Sequence, residues 1–168
     1  PDKTHEVRGR VLGGGFAAQN RKLGLGIRRE DKSVKTSVAI GNAVNVSVHA
    51  MVFGRFVGLS GKQVHQLGLA GLLQDIGKVQ INYDVLSKPG PLDEREFEHV
   101  KAHVRNTLRL LQAHEGFEPD VLGIIAAHHE RYDGTGYPRG LDGMKIPLAA
   151  EMAGIIDTYC AMTRERVY

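Results

Sequence analysis

The chain has one cysteine, Cys160, and no tryptophan among its 168 residues. A single thiol excludes an internal disulfide and suits a reducing compartment, so the expected location is the cytoplasm. No run approaches the roughly 18 consecutive apolar residues of a membrane span. Pro1 to Glu6 is polar and no apolar segment follows, so the start does not read as a signal peptide. The missing tryptophan, and the lack of any surface that interleaves aromatic with basic residues, argue against nucleic-acid binding. Internal repeats and low-complexity segments are also lacking.

The charge is unevenly placed. The net charge is +3, yet residues 1–36 hold nine Lys/Arg against four Asp/Glu, a balance of +5, and the remainder carries −2. A basic tail can approach anionic surfaces; a solvated extension is the simpler reading. Residues 1–37 mix Gly, basic and scattered apolar residues without a helical period, so an irregular N-terminal extension or linker remnant is expected. Gly13-Gly14-Gly15 and Gly24-Leu25-Gly26 lack a following Lys-Ser/Thr and do not fit G-x-G-x-x-G.

From Val38 the pattern is helical. Val44, Val48, Met51, Val52 and Phe56 recur at helical spacing, and Gly58 with Ser60 marks a stop and a new cap. A second helix starts at Ser60, buries Val64, Leu67, Gly68, Ala70, Gly71 and Leu72, and runs into Asp75 and Gly77. Residues 79–93 form a loop around Pro89-Gly90-Pro91. Asp93 caps a third helix with the stripe Phe97, Val100, Val104, Leu108 and Leu111. Pro119 opens a fourth helix, residues 130–146 form a long loop, and Pro147 opens a fifth helix through Met162. Five helices and no strand predict an all-α bundle over residues 38–168.

Two carboxylates stand in apolar surroundings, Asp75 after Leu69–Leu73 and Asp157 within Met152–Met162. A buried carboxylate must pair with a cation, accept several hydrogen bonds or coordinate a metal. The adjacent His128 and His129 close the apolar run Val121–Ala127, and His103 lies on a separate helix between Val100 and Val104. Two carboxylates with three histidines point to a metal site. His99, among Glu96, Glu98 and Lys101, reads as solvated; His49, His65 and His114 read as surface or packing residues. Lys78, one turn after Asp75, either neutralises a phosphodiester or meets the helix dipole; spacing leaves both open.

Leu72-Leu73-Gln74-Asp75-Ile76-Gly77-Lys78 resembles the LLHDIGK motif of the HD-GYP family, and His128 to Leu141 resembles its HHERxDGxGYPxGL. Lys88-Pro89-Gly90, His103 and Ile156-Asp157 also match. The resemblance covers residues 38–168. It implies an HD-type helical bundle with a long GYP loop, and hydrolysis of the bacterial second messenger cyclic di-GMP to pGpG or GMP. It also implies divalent transition metals, iron or manganese. On that template Asp75 bridges the metals, His103, His128 and His129 hold one, and Asp157 with the residue at 74 holds the other. Lys78 contacts the phosphate. Arg131, Asp133, Gly134, Gly136, Tyr137 and Pro138 belong to the loop that shapes the substrate side or docks GGDEF-domain proteins.

The chain departs from the pattern at Gln74, which stands where the family has histidine, and at Asn42 and Asn45, where relatives often carry a His or Glu. An amide oxygen is a poorer ligand than imidazole for such metals. One well-formed metal site and one weakened at Gln74 are therefore expected. Two readings follow: an impaired cyclic di-GMP phosphodiesterase, or an inactive module that binds the nucleotide or a partner. The family continues beyond the position of Tyr168, so a truncated domain is expected.

Overall fold

A computed structural model describes residues 32–163; the expectation for residues 1–31 lies outside the described residues. Among the described residues six α-helices run in order: α1 (Lys32–Phe56), α2 (Gly61–Leu73), α3 (Tyr83–Leu86), α4 (Glu94–Gln112), α5 (Pro119–Ala127) and α6 (Leu148–Thr163). Two 3₁₀ turns, Ile76–Gln80 and Gly143–Lys145, lie between these described helices. No strand occurs among the described residues, only an isolated bridge between Asp133 and Asp142. The all-α expectation holds. None of the described helices is long and apolar enough to cross a membrane.

Local chemistry explains the boundaries. Ser60 caps α2 through a reciprocal box with Gln63, and Asp93 caps α4 through the same device with Glu96. Pro119 supplies the first residue of α5, where its missing N–H costs nothing. Gly58, at φ 83°, ends the α1 connection in the left-handed region. The expected five helices are all present. The short α3 adds a turn to the expected 79–93 loop, with Asn82 accepting from the Asp84 amide. α1 begins six residues before Val38, because no Gly or Pro interrupts Lys32–Ser37.

Three expectations are corrected. The apolar positions of α1 that signalled a helix, Val44, Val48, Val52 and Phe56, are exposed; Val46, Ser47, Ala50 and Gly54 are buried instead. Small residues explain this choice of face. A Cβ on Gly71 would lie 3.2 Å from Val46 Cγ1, and one on Gly68 would lie 2.5 Å from Met51 Cγ. α1 and α2 therefore meet backbone to backbone, and Ser47 Oγ donates to the Gly68 carbonyl at 2.7 Å. Second, Leu72 is 40% exposed rather than buried. Third, α2 stops at Leu73, so Asp75 lies in the turn before the first 3₁₀ segment and not inside a helix.

The core joins Val46 and Ala50 of α1, Leu67 and Ala70 of α2, and Leu111 of α4. To these α5 adds Val121, Ile124 and Ile125, and α6 adds Met152, Ala153, Ile156 and Cys160. Each fully buried large side chain here, such as Leu67 or Ile125, contributes about 1.5–3 kcal/mol. This core brings the end of α2, the middle of α4 and the end of α5 to one place.

Candidate metal centre

Three backbone devices deliver the polar groups. The turn after α2 lies against α4 so closely that a Cβ on Gly77 would come within 2.3 Å of the His103 carbonyl oxygen. Only glycine permits that approach. Thr107, one turn after His103 on α4, then ties the turn down. Its hydroxyl donates to the Gln74 carbonyl at 2.9 Å and accepts from the Gly77 amide at 2.9 Å. At the far side, Gly154 of α6 lets the helix approach the His128 carbonyl, which a Cβ would meet at 2.6 Å.

The imidazoles are oriented in the same way. Nδ1–H of His103 donates to the Val100 carbonyl at 2.7 Å, and Nδ1–H of His128 donates to the Ile125 carbonyl at 2.7 Å. A carbonyl oxygen only accepts, so both rings carry their proton on Nδ1 and present a lone pair at Nε2. Both Nε2 atoms are buried without a hydrogen-bond partner, as is Asp75 Oδ1. Asp75 Oδ1 lies 3.4 Å from His103 Nε2. One ligand atom each from Asp75, His103, His128 and His129 falls within 4.8 Å of the others. Buried polar atoms left unpaired are costly; convergent imidazole lone pairs and a carboxylate oxygen are the donor set that transition metals take. The residues fit a metal.

The electrostatics agree. Burial depresses all three histidines, His128 to about 4 and His129 to about 2, the latter also opposed by the charges of His128 and His103. They are neutral at pH 7, the form that ligates. Burial raises the Asp75 carboxyl, but the charge and hydrogen bond of Lys78, together with His103 and His128, bring the net value below the ordinary one. Lys78 Nζ contacts Asp75 Oδ2 at 2.7 Å.

Asp157 stands beside this group rather than within it. Burial and the Asp75 charge push its carboxyl up to about 6, against Lys78 and a hydrogen bond from Gln74. Gln74 is 2% exposed, and its Oε1 is buried without a hydrogen-bond partner. Of the sequence candidates, Asp75, His103, His128 and His129 are thus brought together, with Lys78 on Asp75 and Asp157 on Gln74. His49, His65, His99 and His114 are exposed, and Asn45 also faces solvent.

The loop after His129 folds over one side. Tyr137 stacks on the His129 ring with centroids 4.6 Å apart and 27° between planes, and its amide donates to the His129 carbonyl at 3.1 Å. Burial, with the Asp75 and Asp157 charges, holds the Tyr137 hydroxyl in its neutral form. Gly136 is pressed against the backbone of Glu130 and Arg131, and Gly134 takes φ 75°. Asp133 accepts from the Thr135 amide at 3.0 Å, and Arg131 Nε donates to Thr135 Oγ1 at 3.1 Å; both charged residues are exposed. Pro138 borders a groove opposite α4.

Sequence reasoning did not single out Glu130 or Thr107. Glu130 is 8% exposed and accepts from the Arg139 and Leu141 amides at 2.8 Å each. It is the anchor of the loop. A carboxylate immediately after the histidine pair was the available signal; for Thr107 it was the spacing of four from His103.

A family model for the HD domain matches residues 29–168. The chain is 39% identical over 127 residues to a cyclic di-GMP phosphodiesterase of Pseudomonas aeruginosa, covering 76% of this chain and 31% of that protein. It is 36% identical to a 3'3'-cGAMP-specific phosphodiesterase of Vibrio cholerae, over 80% of this chain and 29% of the relative. To the cyclic di-GMP phosphodiesterase response regulator RpfG of Xanthomonas campestris it is 42% identical, over 67% and 30%. The chain thus spans about a third of the length of these relatives. With this match and the Gln74–Lys78 and His128–Leu141 motifs, the chain belongs to the HD domain family, in its HD-GYP branch.

Proposed function

We propose that this domain is a metal-dependent phosphohydrolase acting on cyclic di-GMP, opening its phosphodiester to pGpG or GMP. The observation that carries this reading is the convergence of three buried, unpartnered atoms: Asp75 Oδ1, His103 Nε2 and His128 Nε2. A divalent transition metal, iron or manganese, supplies Lewis acidity toward phosphoryl oxygens and a water acidic enough to attack at neutral pH. Asp75, His103, His128 and His129 would hold it. Lys78, already against Asp75, swings its ammonium onto a non-bridging phosphate oxygen and offsets charge there. Tyr137, neutral and stacked on His129, walls one side of the site and excludes water. The reaction belongs to the bacterial cytoplasm, where this messenger is made and read.

Gln74 and Asp157 bear on the second metal position. Where the family has an imidazole this position presents only the buried amide oxygen of Gln74, near Asp157, whose carboxyl burial and the Asp75 charge raise to about 6. A second ion is held weakly, and turnover is impaired. The same observation favours the alternative, a module that keeps cyclic di-GMP affinity and signals through a GGDEF-type partner at the loop carrying Arg131, Asp133 and Tyr137. Cyclic di-GMP turnover with Mn(II) or Fe(II) separates the two. Measurable product that disappears in His103→Ala supports hydrolysis; nucleotide binding without product from native protein supports the module.

A further inference from the structure

The curated relatives divide between cyclic di-GMP and 3'3'-cGAMP, ligands that differ in one purine. If the domain takes a cyclic dinucleotide, as the inference below requires, it must read one purine or the other. Beside the metal centre lies an open groove of about 340 Å³ between α4 and the loop, lined by Glu98, Lys101, Arg105, Gly136, Tyr137 and Pro138. That is at the small end of the roughly 300–1,000 Å³ of small-molecule sites. Tyr137 is common to both places, stacked on His129 and walling the groove. A dinucleotide with its phosphate at the cluster therefore has one nucleoside within reach of the groove.

We propose that this groove is a base-reading subsite in which Glu98 selects guanine. Glu98, Lys101 and Arg105 stand three, four and seven residues apart, on one face of α4. Lys101 Nζ contacts Glu98 Oε1 at 2.5 Å and lies 4.7 Å from the Phe97 ring centroid, which fixes the ammonium and orients the carboxylate. Among the described residues nothing donates to Oε2 of Glu98, and Oε1 keeps a second lone pair beside its contact with Lys101. Guanine presents two adjacent N–H donors, N1 and N2, on its Watson–Crick edge, and a carboxylate accepts both in charge-assisted hydrogen bonds. Its O6 and N7 are acceptors that suit Arg105. Adenine places an acceptor at N1, against the carboxylate, and loses O6. The site discriminates by repulsion as well as by attraction.

The test is calorimetric binding of cyclic di-GMP, 3'3'-cGAMP and cyclic di-AMP to the Mn(II)-supplemented full chain, native and Glu98→Gln or Glu98→Ala. A glutamine side chain offers one donor and one acceptor and so satisfies adenine as well. The native protein is expected to prefer cyclic di-GMP over cyclic di-AMP by about 10- to 100-fold, and Glu98→Gln to lose about tenfold or more of that ratio. Metal content and helicity should stay unchanged, which separates selectivity from misfolding. A native protein without preference, or a ratio unchanged in both variants, overturns the subsite while leaving the cyclic-dinucleotide reading intact. If none of the three ligands binds native protein, that reading falls and the subsite with it.

Discussion

Thr107 Oγ1 donates to the Gln74 carbonyl at 2.9 Å from a helix 33 residues away in sequence. The same oxygen accepts from the Gly77 amide. One fully buried hydroxyl thus satisfies a backbone acceptor and a backbone donor on either side of Asp75, and so sets the position of the carboxylate relative to His103.

Thr107→Val keeps the shape and removes both hydrogen bonds. Each buried backbone group left unpaired costs about 1–3 kcal/mol. The expected outcome is a loss of about 2–6 kcal/mol in denaturant unfolding, with weaker metal binding because the Asp75 turn shifts. Thr107→Ser restores both quantities. Unchanged metal affinity in a destabilised Thr107→Val would confine Thr107 to a role in packing.

Glu130 governs the loop rather than the metal. Glu130→Gln replaces one acceptor by an N–H that opposes an amide, so either Arg139 or Leu141 loses its partner. Amide exchange over residues 131–141 should accelerate about 10- to 100-fold, matching a loss of about 1–3 kcal/mol. Exchange in α4 and α5 should be unaffected. An unaltered loop would contradict the anchoring role.

The buried histidines make the metal-free protein acid-sensitive. His128 and His129 have folded values of about 4 and about 2 against an ordinary 6.5, so the unfolded chain binds more protons below pH 6.5. The stability this provides is fully present above 6.5 and falls as pH drops toward 4. Asp157, raised to about 6 from 3.8, acts oppositely, gaining stability as pH falls through the same window. Two histidines outweigh one carboxyl. Melting of chelator-treated protein should therefore drop by on the order of 10 °C between pH 7 and pH 4.5, and the slope should flatten in His128→Asn. A pH-independent melting temperature would contradict the buried, neutral state of these rings.

Much of this was legible in the sequence, for reasons that differ by residue. The caps at Ser60 and Asp93 are local chemistry and read directly from residue order; the reciprocal bonds of Gln63 and Glu96 came only with the structure. His103, His128, His129 and Asp75 were legible because polar groups in apolar surroundings demand an explanation. α1 was legible as a helix but not in its buried face. Periodicity of Val44, Val48, Val52 and Phe56 identifies a helical stripe, whereas the contact is made by Gly68 and Gly71 opposite Val46 and Ser47, where smallness rather than hydrophobicity decides. Thr107 and Glu130 escaped notice because their partners are backbone groups, which residue types do not reveal.

The most direct test of the metal centre is a titration of metal-free protein with Mn(II) under anaerobic conditions, reading bound metal per chain for native, His103→Ala and Gln74→His. One tightly held ion is expected in native protein, its loss in His103→Ala, and a second tight ion in Gln74→His, where imidazole replaces the amide near Asp157. A native protein that holds no ion, or whose binding survives His103→Ala, would contradict the centre built on Asp75, His103, His128 and His129.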